Sequence, residues 1–126
     1  MREFQTVYDL LGVRFDHVTG ESFYEDRMPA VVSELRAKGL LEESEGALVV
    51  QVARDGDAKP LPPCLIQKTD GATLYATRDL AAAVYRHATF GFERALYVVD
   101  AGQALHFESL ARVLLRAGHA WAVGLR

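Results

Sequence analysis

Within Lys68–Ala81, KTDGATLYATRDLA, three side chains able to hold a small polar ligand fall close together: Tyr75, Arg78 and Asp79. Asp70-Gly71 between apolar runs favours a hairpin turn with positive φ at the glycine. Thr73–Ala76 then reads as a short strand, and the pattern changes to a helix opening near Thr77 or Arg78. Strand-to-helix junctions gather backbone N–H groups and side chains at the strand's C-terminal end, where α/β proteins place ligands. Asp100, Gln103 and His106 follow a second β-rich run, Ala95–Val99. If the two strands are parallel, their ends lie side by side and both groups line one crevice. Carboxylates, a phenol and an amide suit a small ligand carrying positive charge, since a guanidinium fork can take a carboxylate bidentately. The alternative is plainer: Asp79 favours the dipole of its own helix, and His106 is a helix-end surface residue.

Other chemistries find little support. The chain has 126 residues, half of them apolar and a quarter charged, with a formal net charge of −3. That balance suits one small domain or a piece of a larger one, and it offers no basic footprint for nucleic acid. The single cysteine, Cys64, excludes an intramolecular disulfide and reads as a buried structural thiol. His17, His87 and His119 have no carboxylate spacing that suggests a metal site. Gly20-Glu21-Ser22 lacks the second glycine of a nucleophile elbow. Neither Gly-x-Gly-x-x-Gly nor a phosphate loop ending in Gly-Lys-Ser/Thr occurs, which argues against dinucleotide oxidoreductases and phosphate-loop enzymes. The N-terminus lacks the apolar stretch of a signal peptide and no run is long enough to span a membrane. No membrane partner and a cytoplasmic location are therefore expected.

The elements that must position these residues follow from periodicity. Phe4, Val7, Tyr8, Leu10 and Leu11 predict a helix over Arg2–Leu11 stopped by Gly12. Val13–Val18 reads as a short extended segment. Pro29 opens a second helix with Val31, Val32, Leu35 and Leu40 as its apolar stripe and Gly39 as its stop. Glu42–Gly46 is expected as an acidic turn, and the charges of Glu34, Arg36 and Lys38 as solvated surface. Ala47–Val52, Cys64–Gln67 and Thr73–Ala76 then make a small antiparallel meander, with the proline-bearing loop Ala53–Pro63 inside it. A helix over Arg78–Thr89 turns Leu80, Ala83, Val84 and Ala88 inward. Ala95–Val99 has the continuous apolar pattern of a strand covered on both faces. A last helix, Ala104–Ala117, buries Leu105, Leu110, Val113 and Leu114, and His119–Val123 starts another strand. The class is α/β, with a sheet that looks incomplete and leaves an edge for self-association.

Several stretches, in this order and spacing, resemble the catalytic core of class I arginyl-tRNA synthetases over nearly the whole chain. They are Tyr8–Asp16 (YDLLGVRFD), Gly20–Tyr24 (GESFY), Glu43–Ala47 (ESEGA), Lys68–Ala81, and Leu96–Gln103 (LYVVDAGQ) with His106-Phe107. The resemblance implies a partial Rossmann-like nucleotide-binding fold with a β meander from the connecting insertion. It divides the chain into residues 1–63, the end of that insertion, and residues 64–126, the second half of the catalytic core. It implies that Tyr75 and Asp79 hold the substrate arginine, that Gln103 lines the same pocket, and that His106 stands toward the nucleotide. The activity implied is ATP-dependent activation of arginine and its transfer to tRNA(Arg), with Mg²⁺ arriving with ATP. No catalytic residue is expected within this stretch.

The His-Ile-Gly-His-type and Lys-Met-Ser-Lys-type motifs of that family do not occur in these residues. The chain is therefore expected to be a middle piece, inactive alone and with little or no tRNA binding of its own. The competing reading is a non-catalytic α/β binding or interaction module.

Overall fold

The computed structural model describes residues 2–71 and 75–126. Helix α1 (Arg2–Leu11) is followed by a 3-10 helix (Glu21–Arg27) running directly into α2 (Met28–Ala37). Strands β1 (Glu42–Ser44), β2 (Ala47–Val50) and β3 (Cys64–Lys68) form one antiparallel sheet in the order β1-β2-β3. Helix α3 (Tyr75–Phe90), a 3-10 turn (Ala101–Gln103), α4 (Ala104–Arg116) and a final 3-10 helix (Ala120–Gly124) complete the chain.

Helix α2 ends where the sequence lets it. Gly39 adopts φ +69°, its N–H bonds the Arg36 carbonyl, and the Leu40 N–H reaches back to the Leu35 carbonyl. That pair of bonds is the Schellman arrangement, which needs a residue comfortable in the left-handed region and places an apolar residue just after it. Leu40 accordingly packs against the core.

The core is shared. Tyr24, Met28, Val31, Val32 and Leu35 meet Val50, Val52, Cys64 and Ile66 of the sheet region, Leu80–Ala83 of α3, and Leu110, Val113 and Leu114 of α4. Residues on both sides of position 63 thus contribute to one apolar cluster. Cys64 is buried as expected; burial pushes its thiol pKa up, against an opposing hydrogen bond with Ser109.

Glu42–Ser44, expected as a turn, is a strand; only Glu45 and Gly46 turn, both at positive φ, between Ser44 and its partner Ala47. Two central residues at positive φ make the tight hairpin turn whose twist matches paired strands. Sequence periodicity missed β1 because three exposed polar residues carry no apolar alternation. The expected strand over Thr73–Ala76 is not what the chain builds at its end: Tyr75 and Ala76 are already helical, and Thr73 and Leu74 lie outside the described residues. Val13–Val18 forms no strand.

Ala95–Val99 is also not a strand covered on both faces. Its contacts are a short parallel ladder in which Ala95 N–H bonds Gly124 O, Arg126 N–H bonds Ala95 O, and Tyr97 N–H bonds Arg126 O. Leu96 and Val98 turn away from it, 74% and 98% exposed. The expected strand start over His119–Val123 is not formed: Ala120–Gly124 is a 3-10 helix capped by His119, and the extended residues come just after it. Leu105 and Ala88, expected inside, are exposed, as is most of the apolar stripe of α1.

The charges of α2 are not merely solvated. Glu34 Oε1 lies 3.0 Å from Lys38 Nζ and 2.5 Å from His119 Nε2, and Lys38 also donates to the Ala117 carbonyl at the end of α4. Partial burial works to raise the Glu34 pKa, yet hydrogen bonds from Lys38 and His119 outweigh it and hold the carboxyl below its usual range.

The loop between β2 and β3 is tied down by an ion pair. Arg112 of α4 takes both oxygens of Asp57, at 2.8 and 3.0 Å, and donates to the Val52 carbonyl at 3.0 Å. Hydrogen bonds from Arg112 and from the Arg54 N–H pull the Asp57 pKa down to about 2. A carboxyl lowered on folding contributes stability that is full above its ordinary pKa and lost as pH falls toward the folded value. The melting temperature of the chain is therefore expected to fall more steeply from about pH 4 to about pH 2 than that of Asp57→Asn. Parallel melting curves of the two proteins across that range would contradict it.

Candidate functional site

The first turn of α3 is anchored from below. Thr77 is fully buried, and its hydroxyl donates to the carbonyl of Ile66 in β3. Ile66 is the extra residue where the β2–β3 register shifts between the pairs Val49–Leu65 and Leu48–Gln67. A bulge of this kind re-aims the backbone groups around it. The burial of Thr77 and its bond to Ile66 carry no signal in the sequence, because a threonine near a helix start reads as a surface residue. Thr77→Val keeps the shape and removes the donor, so about 2 kcal/mol of stability should be lost, read as a melting temperature several degrees lower. An unchanged melting temperature would show that this bond does not hold α3 in place.

Beside this anchor Tyr75 and Asp79 are open to solvent, whereas Arg78 is largely covered. Tyr75 is 71% exposed, and the Arg78 guanidinium lies 5.4 Å from the centre of its ring. Arg78 also pairs with Glu21 Oε2 at 3.3 Å, and its Nε is buried without a hydrogen-bond partner among the described residues. The Asp79 carboxylate, 39% exposed, meets His106: Oδ2 lies 2.7 Å from the imidazole Nε2. Tyr75 and His106 border one hollow of about 390 Å³, whose other walls include Pro63, Cys64, Leu105 and Ser109.

The structure thus brings Asp79, His106 and Tyr75 to one region. Gln103 lies exposed just before α4, one turn ahead of His106, with its N–H bonded to the Asp100 carbonyl at 2.9 Å. Its side chain makes no hydrogen bond to Asp79 or Tyr75. Asp100 borders a different hollow, with Tyr97, Phe107 and Leu125. His106 stands against Asp79, a pairing that no short-range spacing could reveal because the residues are 27 apart in the chain. The charge of Asp79 is also felt at Tyr97. Burial pushes that phenol's pKa up, Arg86 opposes, and Asp79 adds to the rise.

Chemically, the region offers an accessible carboxylate whose second oxygen is held by an imidazole, beside an exposed phenol. It can accept a cation. Among the described residues no group of three or more His, Cys, Asp or Glu side chains converges to hold a metal ion, and no helix is long and apolar enough to cross a membrane.

Comparison with known proteins gives this geometry its family. The solved arginyl-tRNA synthetase of Plasmodium falciparum superposes on 98% of the chain with a TM-score of 0.81 at 29% identity, over 21% of its own length. A putative arginyl-tRNA synthetase from Campylobacter jejuni matches 91% of the chain and 24% of its own, with a TM-score of 0.73; at 18% identity it speaks for the fold alone. In sequence, an arginine–tRNA ligase of Exiguobacterium sp. is 56% identical over 125 residues, covering 99% of this chain and 22% of that protein. One from Clostridium botulinum (strain Alaska E43) is 54% identical over 122 residues, covering 97% and 21%. The chain therefore spans about a fifth of the length of the relatives it matches. The fold is the expected α/β one, part of a class I synthetase catalytic domain with a small three-stranded antiparallel meander. With residues 1–123 matched by the family model for class I (R) tRNA synthetases, catalytic domain, the chain belongs to that family.

Proposed function

We propose that this chain is the amino-acid-recognising part of an arginine–tRNA ligase, with Tyr75, Asp79 and Gln103 receiving the arginine. The observation that supports it best is identity of 54–56% to arginine–tRNA ligases across 97–99% of the chain. The site chemistry agrees. Asp79 accepts the guanidinium through a charge-assisted fork, Tyr75 packs on it or hydrogen-bonds to it, and Gln103 orients the amino acid from the start of α4. Residues 1–63 serve as the end of the connecting insertion and residues 64–126 as the second half of the catalytic core.

In the whole enzyme the arginine carboxylate attacks the α-phosphate of Mg²⁺-bound ATP, and the resulting adenylate passes arginine to tRNA(Arg). Such a step runs on positioning and charge stabilisation, so this stretch needs no covalent nucleophile of its own. The chain by itself holds arginine and performs neither step, and it has little affinity for tRNA.

Titration calorimetry of the chain with arginine and with lysine tests the reading. Arginine is expected to bind measurably more tightly; equal heats from the two would sink the pocket assignment. A second reading, a non-catalytic interaction module, draws on the exposed edge at Leu96 and Val98. It predicts a dimer on size-exclusion chromatography that arginine leaves unchanged.

A further inference from the structure

We infer that His106 is a positioning residue: its imidazole N–H orients the Asp79 carboxylate so that a planar guanidinium is preferred over a spherical ammonium. This rests on the arginine reading above. Nε2 of His106 lies 2.7 Å from Oδ2 of Asp79. An ionised carboxylate only accepts, so the ring nitrogen donates, and 2.7 Å is the distance of a charge-assisted bond.

The contact spans two helices, from the fifth residue of α3 to the third of α4. It supplies something Asp79 lacks. The terminal torsion of an aspartate is broad, and a carboxylate that is 39% exposed would turn about it without an anchor. His106 is itself braced. Its ring meets Phe107 at 5.0 Å, Phe107 lies 4.3 Å from the Tyr97 ring, and Tyr97 is bonded through its N–H to the Arg126 carbonyl. Asp79, His106, Phe107 and Tyr97 thus make one continuous support running from the site to the parallel ladder.

The consequence is selective. A bidentate guanidinium needs both carboxylate oxygens in its own plane, whereas an ammonium is a compact point charge with three rotatable donors. Holding the carboxylate plane therefore favours arginine and matters little to lysine. A carboxylate has about four lone-pair directions, so Oδ2 accepts from His106 and still faces the ligand.

The test is calorimetric titration of the full chain with arginine and with lysine, for wild type, His106→Ala, His106→Gln and Asp79→Ala, with a thermal melt of each. His106→Ala is expected to weaken arginine binding about tenfold and lysine binding less than about twofold. His106→Gln, which keeps an N–H of similar reach, should return arginine to within about threefold of wild type. In addition, long-range 1H–15N spectra of the ligand-free chain at pH 8.5 should show His106 as the Nε2–H tautomer.

The inference is overturned by an unchanged arginine-to-lysine ratio in His106→Ala, or by an Nδ1–H tautomer in the wild type. If His106→Ala melts early, the His106→Gln ratio and the tautomer decide. Wild-type-like binding in His106→Ala with a loss in Asp79→Ala removes the positioning role and leaves the arginine pocket standing. No arginine uptake by the wild type, or none lost in Asp79→Ala, overturns the pocket and the positioning together.

Discussion

Under the arginine reading, replacing Asp79 by alanine is expected to lower the affinity of this chain for arginine by about a hundredfold, corresponding to roughly 2–3 kcal/mol for losing hydrogen bonds to a charged group. The size follows from the environment. Asp79 is partly exposed, so water screens the pair and the loss stays below that of a buried ion pair. Asp79→Asn should lose nearly as much, because the amide keeps the shape, carries no charge, and can present its NH₂ to a ligand that is itself all donor. The fold should survive both changes. Asp79 is not in the core cluster, and its hydrogen-bonded side-chain partner among the described residues is His106. Calorimetric titration read beside thermal melting separates the two effects. Wild-type arginine affinity in Asp79→Ala would mean that this aspartate serves only the dipole of its helix.

Gly124→Ala is expected to damage the fold itself. A Cβ at this position would stand 2.0 Å from the Glu93 carbonyl oxygen and 3.1 Å from its carbon. Both are backbone atoms, so no side chain can swing aside to relieve the contact. The Gly124 carbonyl also accepts the Ala95 N–H at 3.0 Å, the first rung of the parallel ladder. Relieving the clash pushes residues 93–95 away from 124–126 and breaks that rung. A loss of about 3 kcal/mol is expected from overpacking combined with a broken hydrogen bond, or roughly 10 °C in melting temperature for a domain of this size. Gly20→Ala is the control, since a Cβ there meets nothing within 4 Å and the backbone φ is −88°. Melting within a degree or two of wild type in both variants would refute the account.

These two sites differ in how far they can be read from residues in order. Asp79 stands out beside Tyr75 and Arg78, where a turn signal, an apolar run and a helical period meet. Gly124 carries no local signal. Its requirement for no side chain arises because the Glu93 backbone, 31 positions earlier, passes over it.

The same division holds through the chain. Helices α1, α2 and α4 are legible because apolar residues recur at their period and because Gly12, Gly39 and Gly118 follow them. β1 was hidden because exposed Glu-Glu-Ser has no buried face to alternate with, and its strand state comes from pairing with β2. Ala95–Val99 misled in the opposite direction. Its apolar run describes a strand that two neighbours could flank, whereas here residues 124–126 flank one side and Val98 faces outward.

What the sequence determined by itself was local: roughly where α1, α2 and α4 run, that the single cysteine is buried, and which side chains at the start of α3 have the chemistry to hold a cation. Those follow from periodicity, turn residues and side-chain type, all properties of neighbours along the chain. Only the tertiary structure decided that His106 faces Asp79, that Arg112 clamps Asp57, that Thr77 hangs α3 from Ile66, and that Gly124 must stay bare. Each joins residues between 11 and 55 positions apart. At such separations it is the packing of the sheet, α3 and α4 around one core that selects the partner.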